Sequence, residues 1–155
     1  MPLTRLLLLC ALQLFCAVAP AHAETALPTA HDLRAAAQAA RARGQPVVLL
    51  VSLHDCAYCE RVRRDELLPR QRDGLLAWQI DLKSSEAIVG FEGAPVSQAE
   101  LARRLNVRLA PTVLFLDARG EPVAEPLVGA GLPDFYGAYL DERLAQSRRA
   151  LSRSN

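Results

Sequence analysis

From Val47 to Leu53 the chain is apolar at every position but Ser52, and it is rich in Val and Leu. A strand with one face in water alternates polar and apolar residues. A run that is apolar on both faces belongs inside a sheet covered by helices on both sides. This run therefore points to an α/β domain built around a buried central strand. It leads directly into Asp55-Cys56-Ala57-Tyr58-Cys59 and a charged, helix-favouring stretch to about Arg72. A strand that turns straight into a helix places Cys56 at or near the helix N-terminus and Cys59 one turn later. Pro69 is expected to kink or end that helix.

The flanking segments supply the covering layers. Thr29 and Asp32 resemble a capping box ahead of Leu33, Ala36, Ala37 and Ala40 at helical spacing, and Gly44 is a stop, so a first helix is expected over 31–43. Ala77 to Leu82 reads as a second strand, and 83–96 as a polar connection without a period. Ser97 and Glu100 form another capping box, opening a helix that carries Leu101 and Leu105 and stops near Asn106. Thr112 to Asp117 and Pro122 to Val128 read as two strands joined by a short turn, hence an antiparallel hairpin. Pro133 and Asp134 start a last helix with Phe135, Tyr139, Leu140 and Leu144 available to face the sheet, and with an Arg-rich end from Arg148 expected to fray. The expected order is α-β-α-β-α-β-β-α in one domain.

The N-terminus has a different character. Arg5, an apolar stretch from Leu6 to Val18, and Ala21-His22-Ala23 follow the order of a cleavable secretory signal. The expectation is a signal peptide over 1–23, cleaved before Glu24, a single domain over 24–155, and a periplasmic location. The apolar stretch is shorter than the ~20 residues a spanning helix needs, so no stable membrane insertion is expected after cleavage. Cleavage removes one basic and no acidic residue from 18 and 17, leaving a formally neutral protein. Such a balance gives no electrostatic reason to bind nucleic acid. Of four cysteines, Cys10 and Cys16 leave with the signal and only Cys56 and Cys59 remain. A bridge closing so small a loop constrains the unfolded chain little, so its value is chemical more than structural.

Two thiols separated by two residues suit disulfide exchange: the first attacks a target disulfide and the second resolves the mixed disulfide. Only the thiolate attacks, and a helix N-terminus favours it. That makes Cys56 the candidate nucleophile and Cys59 the resolving thiol, the two forming a redox-active disulfide. A c-type haem attachment is excluded, because Glu60 stands where His is required. A metal-binding or metallochaperone module using Cys56, Cys59 and His54 remains the alternative.

Strand, Cys-x-x-Cys, helix, and later Val107-Arg108-Leu109-Ala110-Pro111-Thr112 ahead of an apolar strand together resemble the thioredoxin family. The leader and the Cys-Ala-Tyr-Cys centre are similar to its periplasmic members, including those associated with sulfur-oxidation clusters. The resemblance implies a thioredoxin fold, with a central mixed four-stranded sheet flanked by helices and an extra N-terminal helix. It implies an exported thiol-disulfide oxidoreductase that reduces protein or small-molecule disulfides with no cofactor and no resident metal. Its implied partners are a disulfide-containing protein substrate and an exported or membrane dithiol. It further implies a cis peptide before Pro111, with Ala110, Pro111 and Tyr58 on the substrate side. The chain departs from thioredoxin at Leu50, where the family carries a buried Asp. His54, Asp55 and Glu60 are the nearest candidates to handle protons in its place. Arg61, Arg63 and Arg64 read as a solvated face, Trp78 and Phe115 as core, and Phe91 as part of a lip near the substrate.

Overall fold

The computed structural model describes residues 26–131 and 133–153. The leader expected at 1–23 lies outside the described residues. The apolar run forms β1 (Val47–Ser52), and all six of its residues are buried. It lies at the centre of a sheet ordered β2-β1-β5-β6. Strand β2 (Ala77–Asp81) is parallel to β1, β5 (Thr112–Leu116) is antiparallel to it, and β6 (Leu127–Val128) is antiparallel to β5.

Successive β1 side chains feed two different cores. Val47, Leu49 and Val51 pack with Leu114, Leu116 and Ile80 under Leu33 and Ala37 of α1 (Leu33–Ala42) and Leu101 of α4 (Gln98–Arg104). Val48 and Leu50 pack with Val113 and Phe115 against Val62, Leu67, Leu140 and Leu144. The last two belong to α5 (Pro133–Arg153). Each fully buried aliphatic side chain in these layers contributes roughly 1.5–3 kcal/mol, which is why the apolar run determines the layering.

Several local expectations are corrected. Asp32 is the cap of α1, its Oδ1 accepting the Ala35 N–H at 2.8 Å. Thr29 is instead bridged to Gln79 at the edge of β2. The polar connection contains a small hairpin, β3 (Ala87–Val89) with β4 (Pro95–Ser97), that buries Ile88 and Val96; strands of three residues show no period. The fourth strand is interrupted. Pro122 bridges Leu116, but Val113 next pairs with Leu127, so three steps along β5 face five on the returning chain. Pro126, with no N–H to donate, lies in that excursion. On α5 the buried stripe is Tyr136, Leu140, Leu144 and Ser147, whereas Phe135 and Tyr139 are exposed. That helix stays regular past Arg148 to Arg153.

Pro69 does not end its helix. The helical run passes from α2 (Ala57–Arg61) through a π-helical segment (Val62–Leu67) into α3 (Leu68–Arg72). There the Leu68 N–H reaches back five residues to the Arg63 carbonyl. The wider turn sits where an α-helical carbonyl would meet the proline ring. Phe91 lies against Gly120, whose absent Cβ would fall 2.7 Å from the ring. That turn follows Leu116, which pairs with Val47 at the sheet end remote from Cys56, so Phe91 forms no lip at the dithiol.

Candidate active site

Beyond Ser52 the chain leaves β1 and bends sharply. The His54 N–H donates to Asp81 Oδ2 at 3.0 Å, tying the bend to the end of β2. Asp55 takes φ of +53°, a conformation that Asp tolerates better than most side chains. Cys56 follows with extended backbone as the N-cap of α2, and its Sγ accepts the Cys59 N–H at 3.1 Å. Cys56 and Cys59 are joined in a disulfide, with Cα atoms 5.2 Å apart. Cys56 is half-buried and Cys59 fully buried. This asymmetry leaves the first sulfur as the approachable one. When the bond is reduced, the Cys59 N–H meets a charged acceptor, and a bond to the ionised form favours ionisation.

The second motif arrives at the same end of the sheet. Thr112 pairs with Val51 near the end of β1, so Ala110 and Pro111 sit where β1 gives way to the dithiol loop. The Ala110–Pro111 peptide is cis. Thr112 Oγ1 donates to the Leu109 carbonyl at 2.7 Å, and the Gly129 N–H donates to the Pro111 carbonyl at 2.8 Å. These two bonds fix the loop from both sides. Tyr58 is 63% exposed, with the Arg61 guanidinium 5.4 Å from its ring centroid. Leu109 and Val128 are also exposed. Sequence reasoning passed over both, although their places beside Ala110 and opposite Thr112 mark them once the hairpin register is known.

On the β2 side of Cys56 a polar cleft of about 730 Å³ opens, lined by Ser52, Glu60, Arg63, Gln79 and Asp81 among others. Arg63 does not belong to a solvated face. Its side chain is only 17% exposed, and its guanidinium donates to Ser52 Oγ at 2.9 Å, to Gln79 Oε1 at 2.8 Å and to the Glu60 carboxylate. Arg64, by contrast, faces water and pairs with Asp65. The signal for Arg63 was the polar Gln79 in the middle of a strand, which demands a partner once the sheet is covered. Leu50 is fully buried, so no carboxylate stands in the sheet interior at that position. His54 and Asp55 are about nine-tenths exposed and pair with each other at 3.4 Å, whereas Glu60 is held by Arg63. Among the described residues no three of His, Cys, Asp and Glu are gathered as a metal-binding set. No helix among them is long and apolar enough to cross a membrane.

A family model described as a thioredoxin-like domain matches residues 33–143. No curated protein matches the sequence. Among solved structures, the chain is similar to a poplar thioredoxin h at 20% identity, covering 68% of this chain and 82% of that one with a TM-score of 0.48. It is similar to a thioredoxin-fold protein from Helicobacter pylori at 21% identity, covering 72% and 84% with a TM-score of 0.46. Thioredoxin O2 from Arabidopsis thaliana, in its oxidised state, is 15% identical over 76% and 95%, with a TM-score of 0.47.

Proposed function

Since the chain belongs to the thioredoxin-like family and is a thiol-disulfide oxidoreductase, we propose that it works outside the cytoplasm as a reductant of protein disulfides, with Cys56 attacking and Cys59 resolving. One observation carries the assignment of roles. Cys56 is half-buried and accepts the Cys59 N–H at the start of a helix, while Cys59 is fully buried behind it.

The reaction follows from that asymmetry. The Cys56 thiolate attacks one sulfur of the substrate disulfide, forming a mixed disulfide and releasing the other substrate sulfur as a thiolate. Cys59 passes its proton to the substrate thiolate just released, and the Cys59 thiolate attacks Cys56 Sγ. The protein disulfide forms, the second substrate sulfur leaves, and two electrons have passed to the substrate. A dithiol partner must then return two electrons to Cys56 and Cys59.

Ala110 and Pro111 form the floor on which an extended substrate segment lies, and the exposed Tyr58, Leu109 and Val128 receive its apolar side chains. Export rests on the leader read in residues 1–23, and the reducing direction is tested by the equilibrium constant of the dithiol against glutathione.

The test is dithiothreitol-driven reduction of insulin by residues 24–155, with Cys56→Ser as control. Turnover that disappears in the variant supports the assignment. Turnover that persists in Cys56→Ser, or is absent in both, overturns it.

A further inference from the structure

Resting on the reading of Cys56 as the attacking sulfur, we infer that Glu60 and Arg63 are an opposed pair of charges that sets the stability of the Cys56 thiolate, and hence how strongly the dithiol reduces. Cys56, Glu60 and Arg63 stand at i, i+4 and i+7, on one face of the helical run, and all three line the same cleft. Arg63 is not free to swing toward the sulfur. Two of its bonds anchor it to the sheet, at Ser52 Oγ and Gln79 Oε1, and the third holds the Glu60 carboxylate one turn from Cys56. The two charges on this face are therefore opposite in sign, the negative one carried four residues along the helix from Cys56 and the positive one seven.

The remaining charged groups facing the cleft do not reverse that arrangement. Asp55, Asp81 and Glu86 add carboxylates, and among the described residues Arg63 is the one guanidinium lining it. Asp55 has the exposed His54 beside it. Asp81 accepts main-chain N–H groups from His54 and Lys83, and Glu86 accepts from the Gln98 amide and has the exposed His31 imidazole 3.6 Å away. Against the helix N-terminus and the Cys59 N–H, which favour the thiolate, stands an anionic wall that disfavours it. A dithiol whose thiolate is held back is a stronger reductant, because its reduced form is less stabilised. Glu60 strengthens that tendency and Arg63 moderates it.

If Arg63 were only a brace between helix and sheet, its loss would change stability and leave the dithiol's equilibrium alone. The full chain and Glu60→Gln, Arg63→Gln, Arg63→Lys and the Glu60→Gln/Arg63→Gln double variant are therefore compared by three readouts. These are the equilibrium constant against glutathione, the pH dependence of Cys56 alkylation in the reduced protein, and thermal unfolding. Glu60→Gln is expected to shift the equilibrium toward the dithiol by about three- to tenfold, or roughly 15–30 mV upward. Arg63→Gln shifts it the opposite way by a similar factor, Arg63→Lys restores most of the wild-type value, and the double variant falls between the single ones. Shifts in the same direction, or both within twofold of wild type whatever the change in unfolding temperature, overturn the inference. Should Arg63→Gln fail to fold, Glu60→Gln decides it by the same twofold threshold. The alkylation profile reads the thiolate even where exchange with glutathione and insulin fails, so this inference and the proposed function fail separately.

Discussion

Cys59 donates its main-chain N–H to the sulfur of Cys56 at 3.1 Å, so the resolving residue supports the attacking one through an atom that no side-chain substitution removes. Cys59→Ala is therefore expected to leave Cys56 a competent nucleophile, alkylated by iodoacetamide at a rate close to that of the reduced wild-type protein. Insulin turnover in the same variant should fall by at least about a hundredfold, with a trapped mixed disulfide at Cys56 visible by mass spectrometry. Slow alkylation at pH 7 in Cys59→Ala would show that the main-chain donor is not enough.

Leu109 and Val128 stand exposed beside the loop that ends in Pro111. Losing one half-exposed apolar contact is worth about 1 kcal/mol, or roughly fivefold in kcat/KM. Leu109→Ser and Val128→Ser should each show that loss with insulin. A small aromatic disulfide, which does not lie along the loop, should react with the reduced protein at an unchanged rate. Equal losses with both substrates would mean that the substitution has disturbed the dithiol itself.

Asp117 organises the turn after β5. Its Oδ1 accepts the N–H groups of Arg119 and Glu121 at 2.8 and 2.9 Å, and its Oδ2 accepts Arg119 Nε at 3.1 Å. Burial pushes its carboxyl up, but these donors and the Arg119 charge outweigh burial and hold it below the ordinary aspartate value. A carboxyl depressed in the folded state contributes stability that is present above the unfolded value and is lost as pH falls through the folded one. Asp117→Asn should thus cost about 1 kcal/mol at pH 7. The gap from wild type should stay constant down to about pH 4 and close below it. Denaturant unfolding between pH 7 and pH 2.5 measures this, and a gap that widens in acid contradicts the assignment.

Tyr136 is buried in α5 and its hydroxyl has no hydrogen-bond partner among the described residues. Burial, with a smaller effect from the Glu66 carboxylate, pushes that hydroxyl well above its usual range, so it stays protonated. Tyr136→Phe removes an unsatisfied polar group and keeps the ring. Stability should be equal or higher, by up to ~1 kcal/mol. A loss beyond that range in thermal unfolding would reveal a partner for the hydroxyl.

What the sequence disclosed follows the range of the interactions involved. The central strand, the cap at Ser97 and the placement of Cys56 are local or depend on one strong pattern, and all are in the structure. The cis peptide at Pro111 is also there, but it was implied by the family resemblance and not by the residues around it. The side facing inward on α5 was misjudged because Phe135 and Tyr139 are as apolar as Tyr136, and only the docking of the helix selects between stripes. Arg63 was misread for the same reason. Its burial depends on Ser52 and Gln79, 11 and 16 residues away in sequence, and a single-helix reading cannot see them.

The π-helical segment Val62–Leu67 divides one run of helix between two tasks. At its start, Glu60 just before it and Arg63 in its first turn face the cleft at the dithiol. After it, Arg70 donates to the Gly137 carbonyl and to Asp141, reaching α5 on the other side. Each α-helical residue turns the chain by about 100°, so the extra residue held in the wide turn works as a phase shift along the helix. An α-helical course through the same residues would carry Arg70 about a quarter-turn or more away from α5, whereas deleting one residue there would restore an unbroken helical repeat with both ends still in phase. Chemistry and anchorage are thereby uncoupled in rotation while sharing a single axis.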